Sequence, residues 1–273
     1  MGAVEAGGSL VPYVGDPVVN IVLMLVISLG GLGFFVWDDL LKNRRFCKCS
    51  VYTRFVLVIS AVLTVGGTIL FALLEWNNPE TLGGMTAGEK LLAAMFQSVT
   101  TRTAGFFTIP QGLFREQTKL LSCILMFIGG SPGGTAGGVK TTTVAALLMT
   151  CWSVLKGTED TECFRRKVLA TTVRTAFAIF TVAFLAVMAG TLAIVSIEQV
   201  PLIDGLYEVV SAVATVGLTT GITPGLHAVS KLIIILLMYL GRIGPVTMAI
   251  LFASKLGKRK NNRKLPEERV MVG

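Results

Sequence analysis

Charged residues and histidine are scarce in this chain. Only 15% of its 273 residues are charged, whereas 53% are hydrophobic and the mean hydropathy is +0.73. Soluble domains carry about 25% charged residues, so the composition excludes that class and indicates a membrane protein. His227 is the only histidine, and we expect it to lie in a surface loop without partners. No nucleophile, base and orienting group converge, so the sequence gives no support to an enzyme.

Cysteine is also sparse, and its distribution argues against disulfide bonds and metal sites. The five cysteines lie in or beside basic stretches or inside apolar ones, where thiols stay reduced. The Cys47-x-Cys49 pair lacks a second pair of ligands, so we expect no metal site and no cofactor in this chain. No basic stretch, apolar core and cleavage site mark a signal peptide, and the first apolar helix is expected to direct insertion.

Acidic residues are fewer than basic ones, 16 against 24, which gives a net charge of +8. The basic residues gather in short clusters that flank apolar stretches, a pattern typical of cytoplasmic loops in membrane proteins and not of nucleic-acid binding. We therefore expect a multi-pass protein of the cell membrane whose basic loops are cytoplasmic. The clusters are Lys42, Arg44, Arg45, Lys48 and Arg54; Lys156, Arg165, Arg166, Lys167 and Arg174; and Lys255, Lys258, Arg259, Lys260, Arg263, Lys264 and Arg269.

Two short polar segments lie between apolar stretches and share the pattern Thr-x-Gly followed by an aromatic or aliphatic residue. Backbone carbonyls of an extended segment can replace the water shell of an alkali cation, and glycine reaches the backbone angles that this requires. A half-length helix before each segment, at 89–99 and 202–214, would direct its partially negative end at the ion. One such segment alone could be an ordinary turn, but the repetition predicts a cation filter. Its residues are Thr103, Ala104, Gly105, Phe106, Thr215, Val216, Gly217 and Leu218.

A glycine-rich run at 129–143 interrupts an apolar helix. It nearly matches a phosphate-binding loop, but Val139 separates the glycine from the lysine, and a membrane helix stands where a strand is required. Irregular backbone at membrane depth is tolerated where it is buried in protein or lines a watery path, so we predict a gate below the filter. A simple kink would explain Pro132 but not six glycines. The predicted gate comprises Gly129, Gly130, Ser131, Pro132, Gly133, Gly134, Thr135, Ala136, Gly137, Gly138, Lys140 and Arg242.

Two arginines lie within this apolar context. Arg242 falls in the middle of the last apolar helix, where a charge costs several kcal/mol unless it is paired or hydrated. It could set a barrier to cations against which the loop moves, or it could pair with backbone carbonyls or an acid. Arg102 directly precedes the first filter segment and could brace the filter carbonyls or extend outward.

Acidic residues fall at the predicted outer ends of helices, where they would raise the cation concentration at the mouth of a pore. The alternative is that they are solvated charges in loops, without a role in ion conduction. These residues are Glu75, Glu80, Glu198, Asp204 and Glu208.

The order of apolar and polar segments predicts an all-α membrane protein. Two complete units of helix, pore helix and helix (M1-P-M2) occupy residues 51–155 and 156–273, the latter ending in a basic cytoplasmic tail. In the first unit the second helix is broken at 129–143. Residues 1–50 hold a spanning helix at 21–37 and a cytoplasmic loop, and we interpret them as the end of a preceding unit.

Several motifs together resemble the membrane (TrkH/KtrB-type) subunit of the Trk/Ktr potassium-uptake family. They are the segment 98–106, the glycine loop 129–143, the segment 215–221 and the segment 240–245. The segment 78–82 is more similar to the Ktr branch. The resemblance covers essentially the whole chain.

This resemblance implies a potassium pore made of four repeats in one chain, each contributing one filter glycine. Gly105 and Gly217 would belong to the third and fourth repeats, the glycine loop would be the third-repeat gate, and Arg242 would lie below the filter. The family implies a homodimer in membrane lipid, a cytosolic nucleotide-binding regulatory subunit of the KtrA/TrkA type, and sodium-stimulated uptake in the Ktr branch.

The resemblance also implies that the first repeat and most of the second are missing from this sequence. We expect a truncated copy; the other possibility is that a second polypeptide supplies the first half. The alternative function is a non-conducting membrane protein that binds a regulator or assembles with a homologous half.

Overall fold

The computed structural model describes residues 8–158, 160–163 and 166–244, and the regular secondary structure of this part of the chain is almost entirely helical, as predicted. Two strands of two residues each, β1 (Glu162–Cys163) and β2 (Arg166–Lys167), form a short antiparallel hairpin. Single 3-10 turns occur at Val11–Tyr13, Phe46–Lys48, Gln111–Leu113 and Thr223–Gly225. The α-helices of the described residues are α1 (Pro17–Gly31), α2 (Phe34–Asn43), α3 (Val51–Glu75), α4 (Ala87–Thr100), α5 (Glu116–Phe127), α6 (Thr141–Leu155), α7 (Ala170–Glu198), α8 (Leu202–Val213) and α9 (Ala228–Ile243).

Helices α3 and α7 are long and apolar enough to cross a membrane. They have 25 and 29 residues, and about 20 suffice for the hydrocarbon core of a bilayer. Large apolar side chains on their outer faces are exposed, among them Leu73 at 72% and Leu192 at 67%. Such faces are suited to contact with lipid.

The spanning helix predicted at residues 21–37 is not a single straight helix. The structure ends α1 at Gly31 and starts α2 at Phe34, with a bend of 92° between them. Gly33 adopts a φ of 85°, a conformation that favours glycine, and a Cβ there would lie 2.6 Å from the Pro132 carbonyl oxygen. The bend therefore follows from a close approach between this part of the chain and the glycine loop.

The two predicted half-length helices are present as α4 and α8. At 1.5 Å per residue, their 14 and 12 residues are too short for a bilayer core of about 30 Å. Helix α4 begins with a capping box, in which hydrogen bonds from the Thr86 backbone N–H and hydroxyl lower the pKa of the Glu89 carboxyl. Both helices bury their C-terminal halves, so their ends lie inside the protein.

The broken helix has the predicted form, with α5 ending at Phe127 and α6 beginning at Thr141. The last helix was expected to run from 229 to 253. Helix α9 starts at Ala228 and is described through Ile243, and the remainder of the predicted helix lies outside the described residues. The largest core cluster packs α5 and α7 around α8, with Met126, Ile194 and Tyr207 fully buried.

A buried ion pair joins α5 to α8. Lys119 Nζ lies 2.8 Å from Asp204 Oδ1, and the two side chains are only 11% and 16% exposed. Removing one partner would leave the other charge without compensation. For Asp204→Asn we expect a loss of about 3 kcal/mol in unfolding free energy, because a lone buried ammonium is costly. The thermal unfolding of the detergent-solubilised chain would measure this loss.

The matched control is Asp38→Asn, which removes the exposed pair between Asp38 and Lys42 on α2. That pair is solvated, so its loss should change stability by less than about 1 kcal/mol. Equal effects of the two substitutions would contradict the structural role assigned to the buried pair.

Candidate functional site

The two Thr-x-Gly segments share an unusual backbone. Thr103 and Gly105 have φ values of 69° and 77°, and Thr215 and Gly217 have values of 53° and 91°. Ala104 lies between the first two and Val216 between the second two, and both have an ordinary negative φ. Left-handed and right-handed conformations therefore alternate along each segment. Alternation of this kind turns successive carbonyls toward one side of the segment. A threonine with positive φ is rare and costs about 1–3 kcal/mol, which suggests that the surrounding structure enforces it.

The two segments face each other at their glycines. A Cβ placed on Gly217 would lie 3.8 Å from the Cα of Gly105. A Cβ placed on Gly105 would overlap the carbonyl oxygen of Val216 and lie 3.4 Å from the Cα of Gly217. The structure therefore brings the predicted glycines together, and at Gly105 no larger residue fits without displacing the opposite backbone.

Each segment is held by the short helix before it. In the first, the Thr100 hydroxyl donates to the Phe106 carbonyl. In the second, Val216 N donates to the backbone oxygen of Ser211 at 2.8 Å, and Gly217 N donates to the side-chain Oγ of Ser211 at 3.2 Å. These bonds fix the segments to α4 and α8 and leave less freedom for the strained residues to relax.

The side chain of Glu208 on α8 organises the chain after the second segment. It is buried and accepts hydrogen bonds from the Thr219 hydroxyl, the Thr220 backbone N–H (3.2 Å) and the Thr223 hydroxyl (2.8 Å). Glu75 has a similar role, because it is 1% exposed and accepts bonds from Thr118 and from the Arg115 N–H. Both carboxylates are buried and hydrogen-bonded, so neither is the solvated loop charge that was the alternative for these residues.

The other predicted acidic residues differ in their surroundings. Asp204 forms the buried pair with Lys119, whereas Glu80 is exposed in a loop. Glu198 accepts a hydrogen bond from the His227 backbone N–H, and its Oε2 lies 2.9 Å from His227 Nδ1. His227 is exposed as expected, but it has a partner 29 positions away that the sequence could not indicate.

We expect Glu208→Gln to loosen the segment after Gly217. The amide keeps the shape of the side chain but loses the charge that accepts three hydrogen bonds. A hydrogen bond to a charged group contributes about 1.5–3 kcal/mol, so amide exchange at 219–221 should accelerate about tenfold or more. Hydrogen–deuterium exchange with mass spectrometry would measure this. Glu80→Gln in the exposed loop is the control, and equal exchange in both variants would contradict the role of Glu208.

The glycine loop, residues 129–140, is closed at its base and lies against the second segment. Gly129 N donates to the Val139 carbonyl at 2.9 Å, and Thr141 N donates to the Gly130 carbonyl at 3.1 Å. A Cβ on Gly137 would overlap Thr215 Oγ1, the hydroxyl at one end of the second segment. The loop is thus in direct contact with a predicted filter residue.

Donors from several helices hold the carbonyls of the loop. Arg242 Nη1 on α9 donates to Thr135 O at 2.7 Å, and Lys140 Nζ donates to the adjacent Ala136 O at 2.5 Å. Arg242 is the penultimate residue of α9 within the described residues, and a backbone-carbonyl partner is one of the two roles that its sequence position allowed.

Further donors to the loop left no clear signal in the sequence. The Tyr52 hydroxyl on α3 donates to Pro132 O at 2.7 Å, and Phe34 N at the start of α2 donates to Gly133 O at 3.2 Å. The glycines at 30, 31 and 33 are a usable signal, because small residues within an apolar helix are typical of close helix contacts. Their partner could not be identified from sequence alone.

Arg102 takes neither of the two expected positions. Its Nη2 donates to Ser60 Oγ on α3 at 3.0 Å, and its buried Nε has no hydrogen-bond partner within the described ranges. The side chain therefore packs between α3 and the first segment, where it neither binds filter carbonyls nor extends outward. The serine partner, 42 positions earlier, left no signal in the local sequence.

Comparison with known proteins places this chain in a family. Residues 4–264 match the family model TrkH, described as a cation transport protein. The chain is 38% identical over 265 residues to the Ktr system potassium uptake protein B of Bacillus subtilis, covering 97% of this chain and 59% of that protein. It is also 38% identical to the potassium/sodium uptake protein NtpJ of Enterococcus hirae, over 93% of this chain and 58% of that protein.

A solved structure has the same fold. The potassium transporter TrkH from Vibrio parahaemolyticus superposes with a TM-score of 0.72 at 17% identity, covering 88% of this chain and 53% of that one. The chain thus spans somewhat more than half the length of the relatives that it matches. With nearly the whole chain matched by the family model, the chain belongs to the TrkH family of cation transport proteins, near the Ktr system potassium uptake protein B.

Proposed function

We propose that this chain forms part of a potassium-conducting pore of the cell membrane. The observation that carries the proposal is the paired left-handed backbone at Thr103 and Gly105 and at Thr215 and Gly217, with the two glycines in contact. A bare alkali cation needs oxygens in place of its water shell, and carbonyls aligned on one side of an extended segment supply them. Potassium is the transported ion and binds only at this filter.

The filter ligands are the carbonyls of residues 103–106 and 215–218. Thr215 supports this assignment, because its hydroxyl is buried without a hydrogen-bond partner among the described residues and lies at the contact with the glycine loop. An unpartnered buried hydroxyl at the end of a carbonyl-lined segment is well placed to coordinate a cation entering or leaving it.

The glycine loop is the proposed gate, with Lys140 and Arg242 as its cationic elements. Both donate to neighbouring loop carbonyls, at Ala136 and Thr135. Positive charge beside the path raises the energy of a passing cation, and the charge is least screened where water is scarce. The gate is closed while these donors hold the loop against Thr215.

In this proposal, residues 51–155 and 156–273 are two M1-P-M2 units, and residues 1–50 contain the last helix of another. A four-part ring requires further filter segments, which the relatives' longer chains can supply. We further propose that two pore subunits form a homodimer and that a cytosolic regulatory subunit of the KtrA/TrkA type binds on the basic, cytoplasmic side. Regulation of uptake would act through α6, which leads directly from the loop.

The test is potassium uptake in a bacterial host that lacks its own uptake systems. The chain is expressed alone and together with the N-terminal part of the Bacillus subtilis relative that precedes the matched region. We expect the combination to restore growth at low potassium, while that N-terminal part alone does not. Lack of growth, with both polypeptides detected in the membrane and copurifying, would overturn the proposal.

A further inference from the structure

Three fully buried polar side chains connect the two half-length helices. Gln97 lies on α4, Tyr207 lies on α8, and Gln111 lies in the 3-10 turn that follows the first filter segment. Their exposed fractions are 2%, 0% and 2%. Burying polar groups of this size is costly unless each of them is hydrogen-bonded, so the three side chains must satisfy one another or the nearby backbone.

Gln111 is the centre of this network. Its Oε1 accepts hydrogen bonds from Gln97 Nε2 at 2.6 Å and from the Tyr207 hydroxyl at 2.7 Å. Its Nε2 donates to Gln97 Oε1 at 3.2 Å and to the Ile109 carbonyl at 2.7 Å. A glutamine side chain has two donor hydrogens and two acceptor lone pairs, so all of them are used. Because the Ile109 carbonyl can only accept, it fixes Nε2 on its side and leaves Oε1 for Tyr207.

Each pore helix holds a filter segment one turn after its network residue. Thr100, three positions after Gln97 on α4, donates its hydroxyl to the Phe106 carbonyl of the first segment. Ser211, four positions after Tyr207 on α8, accepts two backbone N–H bonds from the second segment. Residues three or four positions apart lie on the same face of a helix. A shift of either helix that breaks the network therefore also moves its filter segment.

The two filter segments have no hydrogen bond to each other. Within the ranges that the structure describes, no such bond joins residues 103–106 to residues 215–218, and the segments meet in contact at Gly105 and Gly217. Contact of this kind resists closer approach but does not resist separation. Groups outside the filter must therefore hold the segments at a fixed distance.

We infer that Gln111, bonded to Gln97 and Tyr207, is a positioning residue that sets the distance between the two filter segments and thereby the preference for potassium over sodium. This role belongs to the pore proposed above and rests on that function. Discrimination between the two ions depends on the number, position and freedom of the carbonyl oxygens. A buried network with every partner in place confines both pore helices to one arrangement.

A network that only stabilised the protein would have different consequences. Its loss would lower the unfolding temperature and the amount of protein in the membrane, but the ion preference of the remaining folded molecules would not change. A positioning role instead lowers the preference of each folded transporter. The ratio of two ions taken up by the same cells separates the two roles, because it does not depend on the amount of protein.

The test measures uptake of rubidium, as a tracer for potassium, in competition with sodium. This chain is expressed with the N-terminal part of the Bacillus subtilis relative in the host that lacks its own potassium uptake. Tyr207→Phe removes the hydroxyl that donates to Gln111 and keeps the buried ring. We expect the preference for rubidium over sodium to fall about fivefold, the factor that corresponds to one hydrogen bond of ordinary net strength, while the maximum rate of rubidium uptake is retained.

A double-mutant cycle shows whether the residues act as one network. Gln111→Met removes all four hydrogen bonds of the central side chain and should lower the preference more than Tyr207→Phe does. Since the Tyr207 hydroxyl acts through Gln111, adding Tyr207→Phe to Gln111→Met should cause no further loss. Losses that simply add would overturn the inference.

Two control variants separate positioning from stability. Tyr239→Phe makes the same substitution at a tyrosine of α9 that is 60% exposed, and Phe71→Leu replaces a buried ring in the core cluster of α3, α4 and α5. Both should leave the ion preference unchanged, although Phe71→Leu should lower the unfolding temperature. An unchanged preference in Tyr207→Phe, or an equal loss in Phe71→Leu, would overturn the inference while potassium conduction stands. A wild type that shows no preference for rubidium over sodium would overturn the proposed function and the inference together.

Discussion

Gly105→Ser is expected to abolish potassium-selective uptake by the assembled transporter. The serine Cβ would overlap the Val216 carbonyl oxygen, and the φ of 77° at this position is strained for any residue with a side chain. Either the opposite carbonyl moves or the first segment twists, and both change the oxygens available to the ion. Since 1.4 kcal/mol corresponds to a factor of ten, we expect the preference for potassium over sodium to fall at least about tenfold.

Rubidium uptake in competition with sodium would measure this preference. Gly66→Ser is the matched control, because a Cβ at Gly66 on α3 meets nothing within 4 Å and its backbone is helical. Gly217→Ser is an informative second variant. Its Cβ has room, at 3.8 Å from the Gly105 Cα, but its φ of 91° is strained, so a smaller loss is expected. Unchanged selectivity in Gly105→Ser, with normal amounts in the membrane, would contradict the filter assignment.

Arg242→Ala is expected to raise the maximum rate of uptake. The substitution removes the hydrogen bond to Thr135 O and a positive charge from the region of the loop. A barrier lowered by about 1 kcal/mol accelerates passage about fivefold, and that is the increase we expect. Initial rates of rubidium uptake at saturating concentration would measure it.

The control for this substitution lies on the same helix. Lys231 is exposed near the start of α9 and donates to Pro224 O at 3.2 Å, away from the loop. Lys231→Ala should leave the rate unchanged. A rate that is equal or lower in Arg242→Ala, at matched membrane levels, would show that Arg242 supports the path instead of restricting it.

The sequence predicts the helices well because long apolar runs must be helical in a bilayer, where every backbone polar group needs an internal partner. It also indicates the special backbone at Gly105, Gly137 and Gly217, because glycine within an apolar segment is typical of a positive φ or a close backbone approach. It does not reveal the bend at Gly33. Hydropathy measures the length of an apolar run and not its direction, and the cause of the bend is Pro132, 99 positions later.

Buried polar partners are the other feature that the sequence does not predict. The neighbouring sequence alone suggests surface or pore positions for Glu75, Glu208 and Arg102. Their roles depend on partners such as Thr118, which lies 43 positions from Glu75, and Ser60, which lies 42 positions from Arg102. A carboxylate at a helix end looks the same in sequence whether it faces water or several donors.

The carbonyls of residues 132, 133 and 135 in the glycine loop accept hydrogen bonds from Tyr52 on α3, Phe34 on α2 and Arg242 on α9, respectively. These helices cannot tilt independently while the bonds persist, so a movement of any one of them changes the position of the loop. By thermodynamic reciprocity, any molecule that prefers one tilt of α2, α3 or α9 must shift the loop, and the state of the loop must alter the affinity for that molecule by the same factor.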